Sequence, residues 1–204
     1  MLTRTWSMAL RATDGCKVTV TNPTDAELVE ACLAGNREAF DAIVDRHRRH
    51  VYQLCYRFVG NHEDASDLAQ DVFIRAYRGL KTFKSQSSLG TWLYRIGVNV
   101  CLNRVATKSR VEALDPLMAA SDERTASQEE SAAEALLRGE RAAQVRAAIA
   151  KLPKKQRATL VLRVYHDLPH DQIAGILGSS VGAVKANFFH ALGNLKKLLG
   201  DQVI

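Results

Sequence analysis

Apolar residues recur at spacings of three and four from Asp25 to Lys197, and the strict alternation that marks strands is scarce. The pattern predicts an all-α protein. Thr24 with Glu27 three residues on has the form of a capping box, and Gly35 closes the short helix that it opens. Asn36 caps the next helix, whose stripe of Phe40, Ile43, Val44, His47, Val51, Leu54, Cys55 and Phe58 ends at Gly60. Asn61 opens a third, with Ala65, Leu68, Val72 and Ala76 inward and Gly79 at its end. A polar loop, Lys84-Ser85-Gln86-Ser87-Ser88, then leads into a long apolar helix from about Leu89 to Val105. Together these elements make one small helical domain over residues 23–107.

From Ala106 to about Gly139 the composition turns to Ala, Ser, Glu and Asp with little apolar period, which predicts a flexible acidic linker over 108–139, with helical character at its far end. The second domain, 140–204, begins with Val145, Ile149 and Leu152 on a helix stopped by Pro153, continues with Leu160, Val161 and Val164, and is punctuated by Pro169. Residues 1–22 show no period and read as a disordered tail, with Met8 as an alternative start.

The stretch from His170 to Phe189 fits a helix-turn-helix. Small Ala174 lets two helices approach, Gly178 supplies the turn, and Val184 buries the second helix against the first, with Ile173, Leu177, Val181 and Phe188 in the remaining apolar places. In that motif the second helix enters the major groove, so the side chains pointing away from Ala174 meet base edges or phosphates. They are Gly182, Ala183, Lys185, Ala186, Asn187, Phe189 and His190. Asn187 suits bidentate pairing with adenine, and Lys185 suits a guanine edge or a phosphate. Ser179 and Ser180 stand at the helix entrance, where hydroxyl and backbone N–H suit phosphate. Taken singly, each is also what an ordinary solvated position looks like.

Charge sharpens this division. Lys and Arg outnumber Asp and Glu by 28 to 22, but the excess is segregated: net +6 over 36–110, −4 over 111–150 and +5 over 151–204. Two basic blocks around an acidic one suit two modules facing a polyanion with a spacer between them. Cys16, Cys32, Cys55 and Cys101 form no Cys-x-x-Cys pair and read as reduced thiols. No signal peptide or run of eighteen apolar residues is present, so a cytoplasmic protein without membrane insertion is expected. Catalysis is not expected: no phosphate loop, nucleophile motif or carboxylate pair is readable, and His47-x-x-His50 among arginines lacks a third ligand, so neither metal nor cofactor is anticipated. A two-domain regulator with a ligand-sensing or phosphate-sensing first half is the main rival, although a receiver domain would need alternating strands and helices.

Two further segments carry a family resemblance. Glu63-Asp64-Ala65-Ser66-Asp67-Leu68-Ala69-Gln70-Asp71-Val72-Phe73-Ile74-Arg75-Ala76-Tyr77 and Phe83 to Arg104, centred on Thr91-Trp92-Leu93-Tyr94-Arg95-Ile96-Gly97-Val98-Asn99, resemble the extracytoplasmic-function (ECF) group of bacterial sigma factors. So does Leu168-Pro169-His170-Asp171-Gln172-Ile173-Ala174 with its helix-turn-helix; the resemblance covers about residues 25–107 and 140–200. It implies that the first domain binds core RNA polymerase and the non-template strand of the minus-ten element, while the second reads the minus-thirty-five element as duplex. The implied partners are the largest-subunit coiled coil and the flap of the polymerase, promoter DNA, and an inhibitory anti-sigma factor.

Under that resemblance Asp64, Asp67, Gln70 and Asp71, opposite Leu68 and Val72, form the polymerase face, with Gln70 and Asp71 foremost; periodicity alone would read only a solvated helix face. Lys84, Ser85, Gln86, Ser87 and Ser88, with Asn99, Asn103 and Arg104 on the following helix, are the candidates to receive an unstacked minus-ten base. Trp92 reads as core packing rather than a stacking platform. The sequence departs from the family pattern at Ser85, where glycine is common, at Gly90, where a basic residue is common, and at Ala186-Asn187 and His190, which replace a more usual Ser-Arg and Arg. Gly90 and Gly97 within a helix should each cost about 1 kcal/mol relative to alanine.

Overall fold

The computed structural model of the chain describes residues 23–85, 87–114 and 132–200. Its helices are α1 (Asp25–Leu33), α2 (Arg37–Val59), α3 (His62–Gly79), α4 (Leu89–Leu114), α5 (Ala132–Ala150), α6 (Lys154–Tyr165), α7 (His170–Leu177) and α8 (Val181–Leu199), with a 3-10 turn, Leu80–Thr82, after α3. No strand occurs among the described residues. Side chains start several helices. The Thr24 hydroxyl accepts from the Glu27 N–H while the Thr24 N–H donates to Glu27 Oε2 at 2.6 Å, and Asn36, Asn61 and Ser180 cap α2, α3 and α8. Gly60 ends α2 and Gly178 ends α7, both in the left-handed conformation that glycine adopts without steric cost.

One helix bound corrects the sequence reading: α4 continues past Val105 to Leu114. At the far end of the expected linker α5 is under way at Ala132, in keeping with the helical character expected there. Lys108, Arg110, Glu112 and Leu114, like Ala132 to Leu137, are strong helix formers. They lack an apolar stripe, but extending an existing helix costs far less than nucleating one. The linker's centre, 115–131, and the expected tail, 1–22, lie outside the described residues.

In the first domain α2 packs against α1, α3 and α4, burying Ile43, Val51, Leu54 and Phe58 against Ala65, Val72, Leu93 and Val98. Cys55 and Cys101 are free, buried thiols in this core, and Cys32 is half-buried and free. Gly97 explains itself here: a Cβ at this position would lie 2.7 Å from Leu54 Cδ2, a fully buried side chain with nowhere to retreat. A Cβ at Gly90 would make only ordinary contact with His47, at 3.8 Å.

The second domain sets α6, α7 and α8 around Val161, Leu162, Ile173, Ala174, Val184 and Ala191. Its apolar interior is continuous with the first, because α2 meets α6 and α4 meets α7. At this seam the Tyr94 hydroxyl is 3.1 Å from His166 Nδ1, and the Arg57 guanidinium lies 3.9 Å from the centre of the Tyr165 ring. His166 Nε2 is buried without a hydrogen-bond partner among the described residues. Burial, reinforced by the nearby His50 and Arg57 and opposed by Asp167, holds the His166 imidazole down to about 4.

Two outcomes follow from this packing. Gly97→Ala should lower stability by about 1–3 kcal/mol in denaturant unfolding, whereas Gly90→Ala should leave it unchanged or raise it by up to about 1 kcal/mol; equal effects would contradict the packing account. Because His166 is neutral in the packed form and titrates near 6.5 once exposed, its contribution is complete above about pH 6.5 and declines as pH falls toward 4. Thermal unfolding should therefore show a loss of about 2 kcal/mol between pH 7 and pH 5, flattened in His166→Phe; an unchanged slope in that variant would remove the histidine from the seam.

Candidate nucleic-acid interface

α3 presents its outer face between two buried rows. Asp67 and Gln70 are exposed, and Asp71 is half-exposed, its carboxylate chelated by Arg75 at 2.9–3.0 Å one turn on. Asp64 is different from its expected companions. It lies at the helix start, where its N–H donates to Asn61 Oδ1 at 2.7 Å and its carboxylate accepts from the Asn61 amide and from Arg104. Only 16% of the Asp64 side chain is exposed, so the surface that remains is Asp67, Gln70 and Asp71. Ile74, 48% exposed, sits three residues beyond Asp71 on the same side. The sequence reading passed over this isoleucine because it lies off the inward stripe; a bulky apolar residue off the stripe was the available signal.

The loop before α4 exposes Lys84, Ser85, Ser87 and Ser88, while Gln86 lies outside the described residues. Ser85 has φ 54°, the left-handed conformation that favours glycine, which accounts physically for glycine being common there. The Ser88 hydroxyl accepts from the Thr91 N–H at 3.1 Å and starts α4. Asn99 and Asn103 are exposed one turn apart on α4, as the spacing requires. Arg104 is turned to Asp64, which ties α4 to the start of α3. Trp92 packs on Phe83, ring centres 5.3 Å apart, and is partly buried against the core.

The helix-turn-helix has the expected interior: Ile173, Ala174 and Val184 are buried and Gly178 turns with φ 57°. Val181 corrects the sequence reading. It is 39% exposed, because the first residue of α8 projects beyond the contact with α7. Gly182, Ala183, Lys185, Ala186, Phe189 and His190 are exposed and Asn187 is half-buried, so the outward set stands on one helix. Phe189 is 74% exposed, a large apolar surface for a solvated helix. Ser180 spends its hydroxyl on the Ala183 N–H at 3.2 Å, and Ser179 Oγ reaches the Leu177 carbonyl at 3.4 Å.

The fold also joins residues that no local pattern could connect. A cleft of about 660 Å³ is lined by Lys84, Ser87, Ser88 and Trp92 from the first domain and by Asp171, Gln172, Gly175 and Ile176 from α7. The basic loop therefore faces the second domain. His47 Nε2 lies 3.1 Å from Asp25 Oδ2, pinning α1 to α2 beside the Arg46–Asp25 pair. Among the described residues no helix is long and apolar enough to cross a membrane.

A helical body that joins a helix-turn-helix carrying an exposed outward set to an exposed, acidic and partly apolar helix face has the organisation of a two-module transcription protein. Residues 43–111 match the family description Sigma-70 region 2, and residues 142–195 match Sigma-70, region 4. Among relatives, the RNA polymerase sigma-H factor of Pseudomonas aeruginosa is 34% identical over 186 residues, covering 88% of this chain and 96% of its own. The ECF RNA polymerase sigma factor SigW of Bacillus subtilis is 35% identical over 172 residues, 82% of this chain and 92% of its own. CnrH, solved in complex with the cytosolic domain of CnrY, aligns with TM-score 0.61 at 26% identity over 86% of this chain and 96% of that one. RpoE of Bartonella quintana, solved with the anti-sigma factor NepR, shares the fold with TM-score 0.63 at 21% identity over 80% of this chain and 98% of that one. The chain belongs to the ECF family of bacterial RNA polymerase sigma factors. As such it is an alternative sigma factor that directs promoter-specific transcription initiation.

Proposed function

We propose that the two domains divide promoter recognition between an opened strand and an intact duplex, with α3 as the grip on the polymerase. The observation that carries this is the outward set on α8, Lys185, Asn187, Phe189 and His190, standing clear of a packed Ala174–Val184 contact. Lys185 and Asn187 read the minus-thirty-five element, and Ser179 and Ser180 bring the helix entrance to phosphate. In the first domain Asp67, Gln70, Asp71 and Ile74 meet the coiled coil of the largest subunit. Lys84 to Ser88, with Asn99 and Asn103, receive a minus-ten base that leaves the stack at a cost of a few kcal/mol. Arg104 reaches the backbone once released from Asp64. CnrH and RpoE, solved with CnrY and NepR, support an inhibitory protein partner for this chain too.

Promoter elements centred near minus ten and minus thirty-five lie about 25 base steps apart, or about 85 Å at 3.4 Å per step. Domains in contact through a shared apolar seam cannot reach both. The packed form is therefore the free form, and the domains part on the promoter.

Transcription from a randomised promoter library with core polymerase tests the whole reading. A specific initiating sequence should emerge only when both components are present; tight operator binding without polymerase would favour a repressor. Asp71→Arg should reduce holoenzyme assembly by tenfold or more, about 1.4 kcal/mol, while the circular dichroism spectrum stays unchanged. Normal assembly would remove Asp71 from the interface. Lys185→Ala should weaken minus-thirty-five duplex binding and reduce the salt slope by about 0.9; an unaltered slope would mean that the lysine touches no phosphate.

A further inference from the structure

A second cleft in the seam, about 530 Å³, shares only Arg104 with the residues assigned to promoter recognition. Its apolar wall includes Phe58, Val59 and Leu152, and its cations are Arg104, Lys154 and Arg157. Both domains contribute, the first through Phe58, Val59 and Arg104, the second through Leu152, Lys154 and Arg157.

Arg157 is only 5% exposed, and its Nε has no hydrogen-bond partner among the described residues. Neither it nor Lys154 forms an ion pair among the described residues, whereas Arg104 shares its charge with Asp64. Buried charges are ordinarily paired, because desolvation is costly otherwise. Burial indeed lowers the Arg157 guanidinium below its usual range, opposed by the Cys101 thiol. Independently, α6 starts at this cleft with Pro153 as its N-cap and no side-chain cap bond, unlike α1, α2, α3 and α8. Its first-turn N–H groups and helix dipole add positive potential to the same space. Two unpaired cations and an uncapped helix start, set against one shared arginine–aspartate pair, match a doubly charged anion. The volume admits a small molecule, and the apolar wall offers a surface for an organic body.

We propose that this cleft binds a phosphate dianion, free or carried on a small organic ester, and that its occupancy ties the two domains together. A ligand held by both halves stabilises the packed form by mass action. The binding step stands independently of the promoter assignment; the consequence that occupancy restrains initiation rests on the reading above that the domains must part.

Calorimetric titration of the full chain with phenyl phosphate and with inorganic phosphate, at matched ionic strength against chloride, tests the site. Saturable binding should be weakened by roughly tenfold in Lys154→Glu, a substitution at an exposed position, and in Arg157→Gln, but not in Lys185→Ala, which lies on α8. Tighter binding of the phenyl ester would assign the site to organic phosphates, and equal or tighter binding of inorganic phosphate would assign it to the free ion. Heats no larger than those of chloride, or binding retained in Lys154→Glu, would overturn the proposal. So would displacement of the ester by promoter duplex with a parallel loss of duplex binding in Lys154→Glu, which would make the cleft part of the DNA surface. A donor–acceptor pair across the seam reads the consequence: the ester should shift the population toward the short distance. Binding without that shift would overturn the domain-tying step alone, and a shift without inhibited transcription would instead count against the promoter reading.

Discussion

The fold depends on one continuous apolar interior that runs through both domains, from Leu28 and Val29 in α1 to Ala191 in α8. Hydrophobic burial has no direction, so it holds α2 and α4 against α6 and α7 without fixing them by a polar lattice. The polar groups caught in the seam are imperfectly matched. Among the described residues His166 bonds Tyr94 through one ring nitrogen and leaves the other buried and bare, and Arg157 is buried without a carboxylate. Each mismatch costs free energy in the packed state. On the proposed reading, water relieves both when the domains part, so the seam holds two domains together and still releases them to a competitor for their surfaces.

What the seam covers and what it leaves open differ. α3 keeps Asp67, Gln70 and Ile74 at the surface, and α8 keeps Lys185, Phe189 and His190 there. The loop from Lys84 to Ser88 instead shares a cleft with Asp171 and Gln172 of α7. On the proposed reading the surface for polymerase and the surface for duplex are available first, while the residues assigned to the opened strand come free only when the domains move apart.

Much of this was legible in the chain itself, for reasons of range. Caps at Thr24, Asn36 and Asn61 act within a single turn, and the left-handed glycines at 60 and 178 act at one residue, so pattern reading reached them; the capping role of Ser180, whose hydroxyl the sequence assigned to phosphate, came from the fold. The end of α4 escaped because composition there favours helix without an apolar stripe. Val181 looked inward by spacing but projects from the first turn of α8. The Asp64–Arg104 pair joins residues 40 apart and the Tyr94–His166 bond residues 72 apart. No local period encodes such contacts, so the turning of Asp64 away from its expected face and the whole seam had to come from the fold. Gly97 is intermediate: an unfavoured residue in a helix was visible, but its cause, the approach of Leu54, was not.

The most direct test of the central claim is the distance between spin labels placed on the outer faces of α2 and α8, measured in the free protein and in a complex with core polymerase and promoter. The account predicts a single short distance in the free protein that lengthens by tens of ångströms in the complex, in keeping with DNA elements about 85 Å apart. A distance that stays short when polymerase and promoter are bound and transcription proceeds would contradict it.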